Sequence, residues 1–156
     1  MRHADALPAD PGDSDELRPL SIDGRKAARD LATAMTGRGT AFTRIWSSPL
    51  VRAIQTAEIV ANGINFREIV EAQSCLAPAS SPGDVLEQLE YEPDTADLLL
   101  VGHEPMISTL VGALLGRPIG GFSPASATCI STNRPEANAG QLVWHWSSRE
   151  QRFYAT

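Results

Sequence analysis

The sequence predicts a three-layer α/β/α domain, a mainly parallel sheet covered by helices on both faces. Three observations carry this. Short β-rich runs alternate with helix-period segments, as parallel strands joined by crossover helices require. DLLLVG is a continuous apolar run of the kind a strand buried on both faces shows. The 156 residues are 42% hydrophobic, enough for one core and one domain, 1–156.

In chain order, Ala4 to Leu20 is rich in Asp, Pro, Gly and Ser without a period and reads as a long loop, a length that is uncommon unless the loop serves a site. SIDGRKAARDLATAMTGRG supplies Ser21 as an N-cap, apolar positions at Ala27, Leu31, Ala34 and Met35, and Gly37 as a stop, which together predict a helix. FTRIWSS is a short strand that gives way at once to SPLVRAIQTAEIVANG, a helix with Ser48 as cap, Pro49 in the first position and Gly63 at the end. NFREIVEAQSCLAP reads as a strand running into a loop, SPGDVLEQLEYE as a third helix, DLLLVGHEP as the buried strand, and EPMISTLVGALLG as an apolar helix closed by Gly116. ATCISTN and QLVWHWSS alternate as strands do, and the turn-rich RPEANAG between them predicts a hairpin or two neighbouring strands.

Composition excludes several classes of function. The net charge of -6 argues against a nucleic-acid footprint. No apolar run approaches the ~20 residues of a membrane span and no secretory pattern is present, so the expectation is a cytoplasmic protein. Cys75 and Cys129 lack metal-ligand spacing and read as core thiols. There is no GxSxG elbow, P-loop or dinucleotide fingerprint.

In open α/β sheets, sites form beyond the carboxyl ends of the strands. His3, Arg52 and His103 all fall there, His3 at the end of the terminal strand, Arg52 in the first turns after FTRIWSS, and His103 directly after DLLLVG. Singly, each reads more readily as a solvated or capping side chain. Two histidines and two arginines together, with Arg2 beside His3, make a phosphate pocket.

MRHADA, then DELRPLS, SSPLVRAIQTA and LLLVGHEP, in this order over nearly the whole chain, resemble the histidine phosphatase superfamily (phosphoglycerate mutase-like), and within it the small SixA-type phosphohistidine phosphatase branch. The resemblance implies a phosphohistidine hydrolase that needs no metal or other cofactor. His3 is the implied nucleophile, since a neutral imidazole can attack phosphorus and split one difficult displacement into two. Arg2 and Arg52 are the bidentate phosphate donors, with a protonated His103 beside them. For the acid, Asp15 is the best match, Glu104 the runner-up and Asp5 a third candidate. Arg18 and Pro19 would shape the entrance. The tryptophans Trp46, Trp144 and Trp146 and the lone His145 read as packing or edge positions.

Larger superfamily members roof the pocket with inserts, whereas about thirty residues separate Ile64 from Asp97 here, which implies no cap domain. An open pocket favours phosphohistidine on a phosphotransfer protein; the alternatives are a small phosphorylated substrate such as a sugar phosphate, or a noncatalytic phosphate-binding module. A monomer is expected. The family also places a hydrophobic strand before the Arg-His pair, where this chain has Met1 alone, so most of the first strand is expected to lie upstream. Adding about six apolar residues, one typical strand, before Met1 should then raise the melting temperature, and equal melting temperatures would refute the expectation.

Overall fold

The computed structural model describes residues 1–12 and 14–155. The elements run α1 (Ile22–Gly37), β1 (Arg44–Ser47), α2 (Val51–Gly63), β2 (Val70–Ala72), α3 (Pro82–Leu89), β3 (Leu98–Val101), α4 (Met106–Leu115), β4 (Ala127–Ser131), β5 (Gln141–Ser147) and β6 (Arg152–Ala155). Strands β2-β1-β3 form a parallel sheet, and β4-β5-β6 an antiparallel one. Residues 1–3 lace the two together. His3 N–H donates to Gly102 O at 2.9 Å and Gly102 N–H to Met1 O at 3.1 Å, while Arg2 N–H donates to Ser126 O and Ala125 N–H to His3 O. The sheet is thus parallel only in its first half, and the α/β/α layering expected from the sequence holds there.

Strand alternation builds a core on each face. Ile45, Leu99 and Val101 point towards α1 and α2, where they meet Leu31, Met35 and Val60. Trp46, with the flanking Leu98 and Leu100, faces Val85 of α3 and Ile107 and Leu110 of α4. Trp144 and Trp146 enter the first core with Phe153 packed against them, so all three tryptophans pack as expected. Cys75 is buried and Cys129 half-buried, both as free thiols.

The helix signals hold at two starts and at the end of α4. Ser21 Oγ accepts Gly24 N–H at 2.9 Å, Ser81 and Asp84 form a reciprocal capping box with Pro82 in the first turn, and α4 ends on Gly116 at φ +65°, a left-handed position that glycine adopts without steric cost. The exception is α2, which begins at Val51 after Leu50, with Ser48 and Pro49 still outside it. Strand β6 was not anticipated. Four residues directly after a turn are too few for the alternation of a strand to register.

The long loop is tied at its base. Ala6 and Leu20 form an antiparallel bridge, Leu7 N–H donates to Pro19 O at 2.9 Å, and Ser21 N–H to Asp5 O at 3.1 Å. A Cβ on Gly24 would lie 2.0 Å from Asp5 O. Gly24→Ala therefore pushes the loop base off α1 and should destabilise the protein. Overpacking typically costs about 1–3 kcal/mol, against about 1 kcal/mol gained in helix propensity. Urea unfolding checks this, with Gly37→Ala, which meets open space, as the control expected to show no loss.

Candidate active site

His3 is held by its neighbours on every side. Its backbone is fixed between Gly102 and Ala125, and the next residue is tied to α2, since Ala4 N–H donates to Thr56 Oγ1 at 3.0 Å and the Thr56 hydroxyl donates to Arg52 O at 2.6 Å. The ring Nδ1 lies 2.7 Å from Ala4 O. A carbonyl only accepts, so Nδ1 carries the proton and Nε2 keeps its lone pair. Burial lowers the His3 pKa to about 4, opposed by the Ala4 carbonyl and assisted by the charges of Arg52, Arg2 and Arg18. At neutral pH His3 is an uncharged imidazole with a free Nε2.

His103 follows β3 and lies against it, ring centroids 4.8 Å apart and planes tilted by 57°. Its Nε2 is 2.8 Å from Ser48 Oγ. Burial, then His3 and Arg52, lower its pKa to about 3. The expectation of a protonated His103 is corrected here: the site is buried and already cationic, so the ring is neutral in the free protein.

Arg52 is buried although it lies in the first turn of α2. Its Nη1 donates to Asp15 O at 2.7 Å and its Nη2 to Asp15 Oδ2 at 2.9 Å. The other carboxylate oxygen, Oδ1, accepts from Arg18 Nη1 at 3.0 Å. Asp15 sits on a short 3₁₀ turn, Asp15–Leu17, that brings it over Arg52. The hydrogen bond from Arg52 holds its carboxyl below the usual carboxylate range. Asp15 thus reaches the site as the sequence predicts, but as an ionised partner of two guanidiniums. Arg2 donates through Nη1 to Phe122 O at 2.6 Å. The Nε atoms of Arg2 and Arg18 are buried without a hydrogen-bond partner among the described residues.

The other acid candidates fare differently. Glu104, beside His103, accepts from the Ser108 hydroxyl through Oε2 at 2.7 Å, while its Oε1 is buried without a hydrogen bond. Asp5 is spent on the loop base, where Oδ2 accepts from the Ser21 hydroxyl, and the fold does not bring it to the histidines. Arg18 is the residue that sequence reasoning undervalued. Its charge reaches His3 because the loop folds back, which no local pattern signals. Among the described residues no group of three or more His, Cys, Asp or Glu stands where it would hold a metal ion.

Asp15 occupies donors that a phosphoryl group would use. Asp15→Ala should tighten binding of inorganic phosphate by about tenfold, the effect of removing one nearby like charge at the effective dielectric of a protein surface. Isothermal titration calorimetry checks this; weaker binding would instead show that Asp15 holds Arg52 in place.

Residues 2–75 match the family model described as histidine phosphatase superfamily (branch 1). The phosphohistidine phosphatase SixA of Escherichia coli (strain K12) is 30% identical over 151 residues, 94% of this chain and 91% of that protein. The protein histidine phosphatase SixA solved with tungstate superposes with a TM-score of 0.87 at 28% identity, covering 97% of each chain. A structure described as a SixA from Agrobacterium tumefaciens shares the fold, with a TM-score of 0.81 at 22% identity over 100% of this chain and 95% of that one. Two neutral imidazoles ringed by arginines at the carboxyl edge of the sheet, in a chain 30% identical to a phosphohistidine phosphatase over 94% of its length, place this protein in the histidine phosphatase superfamily.

Proposed function

We propose that the protein hydrolyses phosphohistidine on a phosphotransfer protein, without a metal, through a phosphoenzyme on His3. The observation that carries this reading is the His3 tautomer. With Nδ1–H given to Ala4 O, the Nε2 lone pair is the one nucleophilic atom His3 can offer, and burial keeps it unprotonated.

In the first step His3 Nε2 attacks phosphorus, the P–N bond of the substrate breaks, and the leaving imidazole takes up a proton from solvent, which the attacking water returns in the second step. In the second, water attacks the phosphoenzyme and returns phosphate and free His3. Arg2, Arg52 and His103 meet the charge on the equatorial oxygens, and Arg18 adds a third guanidinium as Asp15 gives way. Asp15, ionised between two arginines, holds no proton to give in this state. Glu104 is the carboxyl we assign to leaving-group protonation where a substrate demands it. A phosphohistidine demands little, because its P–N bond is labile. The short segments between the strands leave room for a side chain presented by a folded partner, and a cytoplasmic monomer fits this role.

The test is phosphate release, with EDTA present, from a phosphotransfer protein phosphorylated on histidine and from a small aryl phosphate. EDTA-resistant release that is faster from the protein supports the proposal. Release from the aryl phosphate alone would make the protein a phosphatase of small esters, and phosphate binding without release from either would make it a binding module.

A further inference from the structure

Ser48 reads in the sequence as the cap of α2, yet the helix begins three residues later. Its hydroxyl is turned the other way, into the protein, beneath His103. Ser48 is fully buried. Its N–H donates to Val101 O at 2.9 Å and its carbonyl accepts from the Ser47 hydroxyl at 2.9 Å, so the backbone that aims the side chain is pinned from both neighbouring directions. The Oγ accepts Leu50 N–H at 3.4 Å and lies 2.8 Å from His103 Nε2.

We propose that Ser48 is a positioning residue that fixes His103 in its Nδ1–H tautomer, so that the second histidine offers a proton-bearing nitrogen to the phosphoryl group that His3 attacks. A neutral imidazole has one N–H and one lone pair, and a serine hydroxyl has one proton to give. If Nε2 carried the ring proton, Ser48 Oγ would face two donors, His103 and Leu50, and its own hydrogen would be buried with no acceptor in reach among the described contacts. If the hydroxyl donates to Nε2, every group at this contact is satisfied: Oγ keeps a lone pair for Leu50 N–H, Nε2 receives a hydrogen bond, and the ring proton sits on Nδ1, free for a ligand. The pairing also orders the two rings. Ala4 O makes His3 present a lone pair, Ser48 makes His103 present a proton, and a phosphoryl group between them meets a nucleophile on one side and a donor on the other. An imidazole whose partner sets its tautomer acts without first rearranging.

The inference deepens the proposed reaction and rests on the same site, but its first test needs no substrate. The chain has three histidines, so two-bond proton–nitrogen correlation spectra of the 15N-histidine-labelled protein at pH 7 resolve each ring. The expected His103 pattern has protonated Nδ1 and bare Nε2. In Ser48→Ala that pattern should turn to a mixture of tautomers, kcat for phosphate release from the phosphohistidine protein should fall about tenfold with KM little changed, and Ser48→Thr, which restores a hydroxyl, should recover both. A wild-type His103 protonated on Nε2 overturns the proposal, as does a Ser48→Ala spectrum identical to wild type. Should Ser48→Ala fail to fold, the wild-type spectrum still decides. A protein that shows the expected tautomer but releases no phosphate would refute the proposed reaction and leave the role of Ser48 in place.

Discussion

His3→Ala should abolish phosphate release, lowering kcat by about three orders of magnitude or more, the usual consequence of deleting a covalent nucleophile. The fold should survive. The backbone of His3 does the structural work at this position, through Gly102 and Ala125, and alanine keeps both bonds. Among the described residues the ring itself is held through Ala4 O and its contact with His103. The variant should therefore keep its far-ultraviolet circular dichroism while failing to acquire label from a 32P-phosphorylated substrate. Wild type, quenched during turnover, should carry an acid-labile, alkali-stable phosphate, as a phosphoramidate does. A His3→Ala protein that still takes up label would move the nucleophile elsewhere, and His103 is the next imidazole in line.

Position along the chain was enough to foresee which residues meet. Arg2, His3, Arg52 and His103 follow strand ends, and a parallel sheet brings strand ends to one edge whatever the details of packing. Their states were not legible, because they depend on burial. His103 looks like a cation beside a phosphate until it is seen packed among arginines and a second histidine. Ser48 shows a different limit. A serine before a proline at the start of a helix meets every local criterion for a cap, and only the tertiary arrangement reveals that its hydroxyl has a more demanding partner. Arg18 and Asp15 illustrate the third limit. They lie in a stretch without periodicity, and the Ala6–Leu20 bridge that folds this stretch over Arg52 leaves no mark in the hydrophobic pattern.

The stability of the free protein should fall steeply as pH drops from 6.5 towards 4. His3 and His103 have folded-state pKa values of about 4 and about 3, against an ordinary 6.5. Both are depressed, so between these limits the unfolded chain binds protons that the folded chain refuses. Stability then rises with pH, and on acidification these two rings alone give a slope approaching two protons, about 2–3 kcal/mol per pH unit; the buried amino group of Met1, its pKa lowered by burial to about 5, adds to it between pH 8 and 5. Burial lowers the His145 pKa too, which adds in the same direction. Asp15, whose carboxyl is depressed instead, contributes stability that disappears only below the ordinary carboxylate range, so it does not blur this window. Domains of this size are stable by roughly 5–15 kcal/mol, so the loss should be plain in urea unfolding curves at pH 7, 6 and 5. His103→Asn should remove about one proton from the slope. Inorganic phosphate should also flatten it, because an anion between the two rings favours their protonated forms and offsets the burial and the arginine charges that keep them neutral. A stability that stays level from pH 7 to pH 5 would mean that both rings are already charged in the native protein, and the neutral pair on which the proposed attack by His3 depends would have to be abandoned.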